Sequence, residues 1–379
     1  MIRLAAPSIE EDDLQAVREV LASGFLVQGP RVRSLEEKIT AVTGTRHAVA
    51  VSSGTAALHL AMLALEVGPG DVVLVTAYSW ISTSNAVEFC GARPEFIDID
   101  PRTFNMNPRA LERAVDRLLK NPESSRRVKA ILPIDAFGQM ADLSAIGEIA
   151  ELNGLPVVED AACALGAKLN GKPSGAWSRL ATFSFHPRKA VTTGEGGLLT
   201  TGDERLAWKL RALRNHGQDP NSATPDFVMP GYNYRMTEFQ AALGFSQLDK
   251  LDRIIRRRRE IAATYDRLLA GTPLQAPYVP PGNEPVFQSY VCLLNEEAAA
   301  RRDELIRKMR EDGVEISIGT WHLPLSSYNR RRYGYKPGDF PATDSVFARS
   351  LSLPMYESLT RPDQEQVVAL LLKHLGNPS

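Results

Sequence analysis

Residues 181–201, ATFSFHPRKAVTTGEGGLLTT, place one lysine between two short segments that are typical of β-strands. The first, Ala181 to Phe185, alternates small or polar residues with aromatic ones, and the second, Gly197 to Thr201, follows a glycine-rich turn. The chain between them must be a loop, because Pro187 has no amide hydrogen and several glycines follow it. This pattern predicts that strands on both sides hold Lys189 in a defined position. The alternative is that Lys189 is an ordinary surface charge.

A second segment, Leu155 to Gly166 with the sequence LPVVEDAACALG, contains a short apolar run that ends in two acidic residues. It is typical of a buried parallel strand, and ligands of open α/β sheets lie just beyond the carboxyl ends of such strands. A pyridoxal phosphate site needs a lysine that forms a Schiff base and a carboxylate that keeps the pyridine nitrogen protonated. Lys189 and Asp160 can fill these two roles. The alternative is that Asp160 caps a helix and that Glu159 is an exposed acid.

A third segment, Val51 to Leu65 with the sequence VSSGTAALHLAMLAL, changes from a strand-like run to a helical pattern rich in alanine and leucine. Hydroxyl groups and the free amides of a first helical turn can hold a phosphate, which the helix dipole also favours. Gly54 and Thr55 therefore form a candidate phosphate site, and an ordinary helix cap by Ser53 is the alternative. The sequence has neither G-x-x-x-x-G-K-[ST] nor G-x-G-x-x-G, the motifs of nucleoside triphosphate and dinucleotide sites.

Together these motifs resemble, in order, those of the DegT/StrS-type nucleotide-sugar aminotransferases, and the resemblance runs through almost the whole chain. It implies the α/β fold of the aspartate-aminotransferase-like, fold type I enzymes that depend on pyridoxal phosphate. The expected domains are a large one with a mostly parallel sheet, residues 1–250, and a small α/β one, residues 251–379, against which residues 1–25 can also pack. The resemblance rests on SGTAAL (53–58), TAYSW (76–80), EDAA (159–162), FSFHPRK with TTGEGG (183–197) and GYNYRM (231–236).

The resemblance also implies how pyridoxal 5′-phosphate is held. Lys189 and Asp160 are the expected catalytic residues. Residue type alone is equally consistent with Trp80 stacked on the cofactor ring and with Trp80 packed under a loop. Cys163 stands where relatives commonly have glutamine or histidine, and a thiol is a poor hydrogen-bond partner for the 3-oxygen of the cofactor. The cofactor-binding residues that the resemblance implies are Gly54, Thr55, Ala56, Trp80, Asp160, Cys163, Ser184, Lys189 and Asn233.

In this family the stretch around Asn233 reaches the active site of the neighbouring subunit, so the resemblance implies an obligate homodimer with shared active sites. Turn chemistry and a surface charge are the alternatives for Asn233 and Arg235. Substrate contacts are expected for His186, Arg235 and His322, with a packed or capping histidine as the alternative for His186. Asp135 to Gly138 lie at the end of a predicted strand, where many relatives have a histidine, and this difference weakens any substrate role there. No metal site is expected.

The implied activity is a two-stage transfer of an amino group. L-glutamate donates the group to the cofactor, freed Lys189 moves a proton, and a nucleoside-diphosphate keto-sugar accepts the group, with a 4-keto-6-deoxy hexose favoured. The setting is amino-sugar biosynthesis for a polysaccharide, a glycan or a secondary metabolite. An aminocyclitol aminotransferase that acts on a keto-inositol is one alternative. A pyridoxal-phosphate-binding regulatory protein without turnover is another.

Composition gives no sign of a nucleic-acid or membrane partner. The 379 residues carry a net charge of −1, and 44% are hydrophobic, enough for sizeable cores. The three cysteines lack metal-site spacing and fit a reducing compartment. The start of the chain lacks an apolar segment of signal-peptide length, and no apolar run approaches a membrane span, so a cytoplasmic location is expected. The run Arg256 to Arg259 is predicted to be a solvated helix face.

Strand and helix patterns alternate between residues 72 and 159, which predicts a largely parallel sheet. Before it, Ile9 to Ala22 predicts a helix capped by Ser8. After the lysine loop, one long helical pattern from Thr237 to Leu269 leads into the smaller domain, and Glu296 to Asp312 predicts a charged helix.

Overall fold

The computed structural model of the protein describes residues 1–120 and 127–376. Short β-branched and apolar runs form many of the strands. The strands are β1 (His47–Val51), β2 (Val72–Thr76), β3 (Tyr78–Ser79), β4 (Arg93–Ile97), β5 (Val128–Leu132), β6 (Val158–Asp160), β7 (Lys168–Leu169), β8 (Lys172–Pro173), β9 (Leu180–Ser184), β10 (Gly197–Thr201), β11 (Leu274–Gln275), β12 (Asn283–Glu284), β13 (Tyr290–Leu294), β14 (Trp321–His322) and β15 (Ser350–Leu353).

Helices alternate with these strands through the first half of the chain and surround a second set of strands in the rest. Several begin at a side-chain cap or with proline in the first turn. A cap supplies an acceptor for a free amide of that turn, and a proline has no amide hydrogen that needs one. The helices are α1 (Glu11–Ser23), α2 (Pro30–Thr43), α3 (Gly54–Ala64), α4 (Ser82–Phe89), α5 (Pro108–Leu119), α6 (Leu143–Leu152), α7 (Glu204–Arg214), α8 (Glu238–Asp249), α9 (Leu251–Leu269), α10 (Glu296–Ala299), α11 (Arg302–Glu311), α12 (Ser327–Tyr333), α13 (Pro341–Arg349) and α14 (Arg361–Leu375).

The large sheet has the strand order β4-β2-β5-β6-β9-β10-β1. Strand β2 pairs in parallel with β4 and β5, and β6 pairs in parallel with β9. Parallel bridges from Ile131 to Val157 and from Ile134 to Asp160 join the two halves. Only β10 runs against its neighbours β9 and β1 within this sheet of the described chain. The predicted fold class, α/β with a mostly parallel sheet, is confirmed.

Helices cover both faces of this sheet, which explains why its strands are continuous apolar runs. Helices α2, α5 and α6 pack on one face with alternate strand residues such as Ala50 and Leu74. Helices α3, α4 and α7 pack on the other face with the residues between them, such as Val51 and Val75. Because both faces are closed, the open place for a ligand is the edge at the carboxyl ends of the parallel strands.

A separate hydrophobic core lies in the C-terminal part of the chain, between α9, α11, α14 and the sheet of β11, β13 and β15. Ile2 belongs to this core and forms a parallel bridge with Val314. The amide of Met355 donates to the carbonyl of Leu4 at 3.0 Å. A domain boundary between residues 250 and 251 stays a prediction, which these separate cores favour. None of the described helices is both long enough and apolar enough to cross a membrane.

Three predicted helices have different ends in the structure. Helix α1 is capped at Glu10 rather than Ser8, because the Asp13 carboxylate accepts the Glu10 amide at 2.9 Å and is itself fixed by Lys250. The long pattern before residue 269 is two helices, α8 and α9, with Lys250 at the break. The charged pattern that begins at Glu296 is likewise split into α10 and α11.

The arginines of the run on α9 differ in their exposure to solvent. Arg258 is 3% exposed and donates to the backbone carbonyls of Phe287 and Gln288 at 3.1 and 2.9 Å. Burial lowers the pKa of its guanidinium to about 10. Arg257 and Arg259 also donate to backbone carbonyls of neighbouring connections. The predicted solvated face is therefore wrong for Arg258, whereas Arg257 and Arg259 stay partly exposed while they bind carbonyls of loops distant in sequence.

Candidate active site

The carboxyl ends of β1, β6 and β9 bring together the three segments that the sequence singled out. Strand β9 ends at Ser184, and a Cβ atom placed on Gly54 would lie 3.2 Å from the Ser184 hydroxyl oxygen. Lys189 Nζ lies 3.1 Å from the sulfur of Cys163, just beyond the end of β6. The phosphate candidate, the lysine and the acid at the end of β6 therefore share one edge of the sheet.

Hydrogen bonds within the lysine loop hold Lys189 in a half-buried position. Its amide donates to the carbonyl of His186 at 2.8 Å. The Phe185 carbonyl accepts both the amide of Thr193, at 3.0 Å, and the hydroxyl of Thr192, at 2.8 Å. The loop is thus tied back to the end of the strand before it, as the sequence predicts, and Lys189 is not an ordinary surface charge.

Asp160 ends β6 as a carboxylate that is 6% exposed and has hydrogen-bond donors on both oxygens. Oδ2 accepts the hydroxyl of Thr83 at 2.8 Å, and Oδ1 accepts the amide of Ala162 at 3.3 Å. Burial raises the pKa of Asp160, whereas these hydrogen bonds and the charge of Lys189 oppose that rise. No helix begins at Asp160, so the helix-cap alternative is wrong.

Two further acids, Asp135 and Glu159, are buried beside the end of β6. Glu159 accepts the amide of Gly175 at 3.0 Å and the hydroxyl of Ser178 at 2.8 Å, so the alternative of an exposed acid is wrong. Asp135 Oδ1 accepts the amide of Ala141 at 2.9 Å. Burial, and then the negative charge of Glu159, raise the pKa of Asp135 well above its ordinary value. The raised pKa favours the protonated form of Asp135 more than in an exposed aspartate.

The predicted phosphate site lies at the first turn of α3. The Ser53 hydroxyl accepts the amide of Ala56 at 3.1 Å, so the ordinary cap is present. The amides of Gly54 and Thr55 stand at the helix start, where no intrahelical acceptor exists, and the Ser184 hydroxyl lies beside them. Amides, hydroxyls and a positive helix end remain available together, which suits a phosphate.

Glycine at the end of the lysine loop allows the strands to approach this turn closely. A Cβ atom on Gly197, the first residue of β10, would lie 2.2 Å from the carbonyl oxygen of Ser53 and 2.7 Å from the amide nitrogen of Gly54. Such distances are sterically forbidden, so any larger residue would push β10 away from the phosphate site. Gly197 in the GEGG sequence therefore serves packing.

Trp80 lies at the same edge, directly after β3. It is 59% exposed, so the alternative of an aromatic packed under a loop is wrong. Its carbonyl accepts the amide of Thr83, whose hydroxyl contacts Asp160. The backbone of Trp80 is therefore joined through Thr83 to the buried carboxylate.

The stretch 231–236 runs beside β1 and the phosphate site of the same chain. The carbonyl of Tyr234 accepts the amide of Ser52 at 2.8 Å. Asn233 is exposed and forms an antiparallel bridge with Asn215, whose side-chain oxygen accepts Arg235 Nη1 at 2.9 Å. The Arg235 guanidinium is thus partly engaged within the chain, whereas the Asn233 side chain is open to a partner or ligand.

The two histidines with expected substrate contacts differ in their surroundings. His186 is half-buried, and its Nδ1 accepts the amide of Arg188 at 3.2 Å, as in the capping alternative. His322 is 4% exposed, with Nδ1 accepting the amide of Leu325 at 3.3 Å and Nε2 lying 2.8 Å from Asp344. Both nitrogens of His322 are engaged. The substrate contact of His322 stays a prediction, which this geometry does not favour.

The sequence did not predict a role for Thr83 or the deep burial of Asp135 and Glu159. Thr83 lies in the first turn of α4, and only its position after TAYSW could have pointed to the edge of the sheet. In the described part of the chain, no group of three or more His, Cys, Asp or Glu side chains could hold a metal ion.

Comparison with known proteins identifies relatives along the whole length of the chain. The profile of the DegT/DnrJ/EryC1/StrS aminotransferase family matches residues 7–372. The chain is 36% identical to the GDP-perosamine synthase of Caulobacter vibrioides over 374 residues, 98% of this chain and 97% of the relative. It is 37% identical to a pleiotropic regulatory protein of Geobacillus stearothermophilus over 367 residues, 95% and 93% of the two chains. The PLP-form structure of Spr1654 from Streptococcus pneumoniae superposes with a TM-score of 0.90 at 27% identity, covering 97% of each chain.

The residues at the edge of the sheet fit pyridoxal 5′-phosphate, which has an aldehyde, a basic ring nitrogen and a phosphate. Lys189 suits the aldehyde, the buried Asp160 carboxylate suits a protonated ring nitrogen, and the start of α3 with Ser184 suits the phosphate. The predictions of the family, of the aminotransferase class and of this cofactor are confirmed by the comparisons. The chain belongs to the DegT/DnrJ/EryC1/StrS aminotransferase family and is a pyridoxal-phosphate-dependent aminotransferase.

Proposed function

We propose that this aminotransferase moves an amino group from L-glutamate to a keto-sugar linked to a nucleoside diphosphate, with Lys189 and Asp160 as its catalytic residues. The observation that carries the proposal is the convergence of Lys189, Asp160 and the start of α3 on one edge of the sheet. A half-buried lysine beside a buried carboxylate and an anion site matches the parts of the cofactor.

Each residue of the site has a distinct task in the proposed reaction. Pyridoxal phosphate supplies an electron sink for the carbanion that forms when the donor loses its α-proton. Lys189 would hold the cofactor through its aldehyde and, when freed, would serve as the proton carrier of the reaction. Asp160 would keep the ring nitrogen protonated, and Trp80 would stack on the ring. Gly54, Thr55, Ala56 and Ser184 orient the phosphate.

The substrate class rests on the relatives rather than on the site residues. A relative named for the synthesis of GDP-perosamine supports an acceptor that is a nucleotide-linked sugar, and we favour a 4-keto-6-deoxy hexose. A keto-inositol would need the same catalytic residues, so only the acceptor distinguishes the two. We place the reaction in amino-sugar biosynthesis and in the cytoplasm, where Cys90, Cys163 and Cys292, which are free, fit a reducing compartment.

The test begins with the visible absorbance spectrum of the purified protein with pyridoxal phosphate, before and after L-glutamate, beside Lys189→Ala. We expect a band of lysine-bound cofactor in the wild type that L-glutamate converts to the pyridoxamine form, and no such band in the variant. Mass spectrometry with a panel of nucleotide keto-sugars and a keto-inositol then identifies the acceptor. An unaltered wild-type band after L-glutamate would contradict the proposed donor.

We also propose an obligate homodimer in which Asn233 contacts the cofactor phosphate of the partner subunit. Exposed apolar residues near this stretch support an interface there: Phe25, Leu26, Val27, Phe227, Val228, Tyr232 and Phe239. Two inactive variants, Lys189→Ala and Asn233→Ala, make the test. If the sites are shared, mixed dimers contain one site with both residues intact and regain activity. If Asn233 serves its own chain, every mixed dimer stays inactive.

A second candidate is a cofactor-binding regulatory protein without turnover, which the name of the Geobacillus relative favours. The held position of Lys189 opposes it, since a regulator has no need of a proton-transfer lysine. A lysine-bound cofactor band that no donor or acceptor changes would favour the regulator. Conversion by L-glutamate followed by return of the band with a keto-sugar would exclude it.

A further inference from the structure

Two buried hydroxyls form a chain that ends on Asp160. The Ser79 hydroxyl lies 2.8 Å from the hydroxyl of Thr83, and Thr83 Oγ1 lies 2.8 Å from Asp160 Oδ2. Ser79 and Thr83 are both buried, on β3 and in the first turn of α4. Burying two hydroxyl groups away from water is unfavourable unless both are hydrogen-bonded, so the direction of their hydrogen bonds is informative.

The chain of hydrogen bonds can run in only one direction when Asp160 is ionised. A carboxylate only accepts, so the single hydrogen of Thr83 must point to Asp160. Thr83 then has only its lone pairs left for Ser79, which must be the donor of the second bond. Because each donor polarises the next, the Ser79 hydroxyl strengthens the bond from Thr83 to Asp160.

These bonds bear on the charge of Asp160 because its surroundings otherwise oppose ionisation. The carboxylate is nearly inaccessible to water, and burial favours its neutral form. The amide of Ala162 reaches Oδ1 only at 3.3 Å, whereas Thr83 donates at 2.8 Å. The shorter bond to a charged acceptor is the stronger one, and it also fixes the rotation of the carboxylate.

We propose that Thr83, supported by Ser79, is a positioning residue that keeps Asp160 ionised and turned toward the ring nitrogen of the cofactor. The inference deepens the proposed function and rests on the proposed pairing of Asp160 with that nitrogen. Thr83 itself acts only through Asp160. Thr83 therefore contributes only to the affinity for a ligand whose ring has a nitrogen at that position.

The test compares two ligands that differ in this one atom. Apoprotein binds pyridoxamine 5′-phosphate, which forms no bond with Lys189, or its 1-deaza analogue, in which C–H replaces the ring nitrogen. We expect the wild type to bind pyridoxamine 5′-phosphate more tightly than the analogue. The isosteric Thr83→Val should weaken pyridoxamine 5′-phosphate binding about tenfold to a hundredfold, the range for a hydrogen bond to a charged group, and leave analogue binding within about twofold.

Matched variants separate the hydroxyl from its surroundings. Thr83→Ser should restore most of the affinity, and Ser79→Ala should weaken pyridoxamine 5′-phosphate binding in the same selective way but less than Thr83→Val. Ser84→Ala is the control, because Ser84 is a buried hydroxyl of the same helix that donates instead to the Ile81 carbonyl. We expect it to change neither affinity.

Two results would overturn the inference, and they differ. If Thr83→Val leaves the ratio of the two affinities as it is in the wild type, whether or not both ligands bind more weakly, Thr83 has only a structural role. A wild type that binds both ligands equally would instead refute the pairing of Asp160 with the ring nitrogen, and the inference with it. If Thr83→Val does not fold, Ser79→Ala decides by the same comparison.

Discussion

Lys250 and Lys189 each lie near buried aspartates, yet the two lysines are held in different ways. In the junction cluster, formed by Lys250, Asp12 and Asp13 between α1 and the break of α8 and α9, Lys250 Nζ lies 2.6 Å from Asp13 and 2.9 Å from Asp12. In the sheet-edge cluster, formed by Lys189, Asp160 and Cys163, the nearest polar contact of Nζ is instead a thiol at 3.1 Å.

The difference separates a fixed charge from a group that can exchange protons. Burial alone would lower the pKa of Lys250, but hydrogen bonds with Asp13 and Asp12 outweigh it and raise the pKa. At the sheet edge the carboxylate is bonded to Thr83 instead, which leaves the lysine without a direct carboxylate partner. A lysine that must bind an aldehyde and carry a proton needs this second arrangement.

The largest effect that separates the clusters is expected from Lys189→Ala. We expect kcat for transamination to fall at least about a thousandfold, roughly 4 kcal/mol, because the variant loses the amine that we propose both binds the cofactor and carries the proton. The free energy of unfolding of the apoprotein should stay within about 1 kcal/mol of the wild-type value. Stopped-flow kinetics and urea unfolding measure the two quantities. The exposed neighbour Arg188→Ala is the control, and turnover retained by Lys189→Ala would remove the distinction between the clusters.

Lys250→Met should have the converse effect. We expect a loss of about 3 kcal/mol in the free energy of unfolding, because the fully buried Asp13 would lose its cation. Urea unfolding of the apoprotein measures it, and kcat of the folded holoenzyme should not change. Lys38→Met is the matched control, since its partner Asp249 is mostly exposed and the pair should contribute less than about 1 kcal/mol. A small effect of Lys250→Met, equal to that of Lys38→Met, would contradict the fixed-charge interpretation.

The two regions should also respond to pH in opposite directions. A hydrogen bond with Lys250 lowers the pKa of Asp12, so its contribution to stability is lost as the pH falls through the lowered pKa. Near the sheet edge, the pKa of Asp135 is raised by burial and by Glu159. The unfolded chain then releases the proton first, and stability falls as the pH rises from the ordinary aspartate pKa of about 4 to the raised one, by about 1.4 kcal/mol per unit.

Asp135→Asn tests this direction, because an amide imitates the protonated acid and keeps the oxygen that accepts the amide of Ala141. We expect the variant to lose less stability than the wild type between pH 5 and pH 8, measured by urea unfolding at each pH. Parallel profiles of the two proteins would show that Asp135 is ionised in the folded state.

The smallest effect is expected from Cys163→Ala. A thiol is a weak hydrogen-bond partner, so its loss should change the dissociation constant of pyridoxamine 5′-phosphate by no more than about twofold, under 0.5 kcal/mol. Isothermal titration of the apoprotein measures this constant, with Cys90→Ala as the control for a buried thiol elsewhere. A larger loss at Cys163 alone would show that the thiol, and with it the position of Lys189, contributes to binding.

Local patterns were sufficient to predict the elements around Lys189. The strands on either side, the helix that begins at Gly54 and the strand that ends at Asp160 depend on periodicity and on turn residues within short windows. The cap of α1 was missed because Asp13 is fixed by Lys250, 237 positions away. Thr83 was missed for the same reason, as it lies 77 positions before Asp160.

Burial of charged residues was the other failure of prediction. Glu159 and Arg258 belong to residue types that are usually exposed. The sequence around each of them does not show which amides or carbonyls will face it. Apart from the Ser178 hydroxyl, their partners are backbone groups of loops, which have no residue-type signature. Polar groups of this kind become predictable only after the topology is known.

The arginines of α9 bear on how the lysine loop can move. Arg258 holds the carbonyl of Gln288, and the Gln288 side-chain amide donates to the carbonyl of Arg188 at 3.0 Å, next to Lys189. An opening of the 284–288 connection would therefore release one tether of the lysine loop. The free energy of local opening differs widely across a protein. The hydrogen bond from Gln288 to Arg188 links the opening of the 284–288 connection to that of the lysine loop, which would otherwise be separate events. Amide hydrogens of the lysine loop should thus exchange faster when Arg258 is replaced and the connection opens more often.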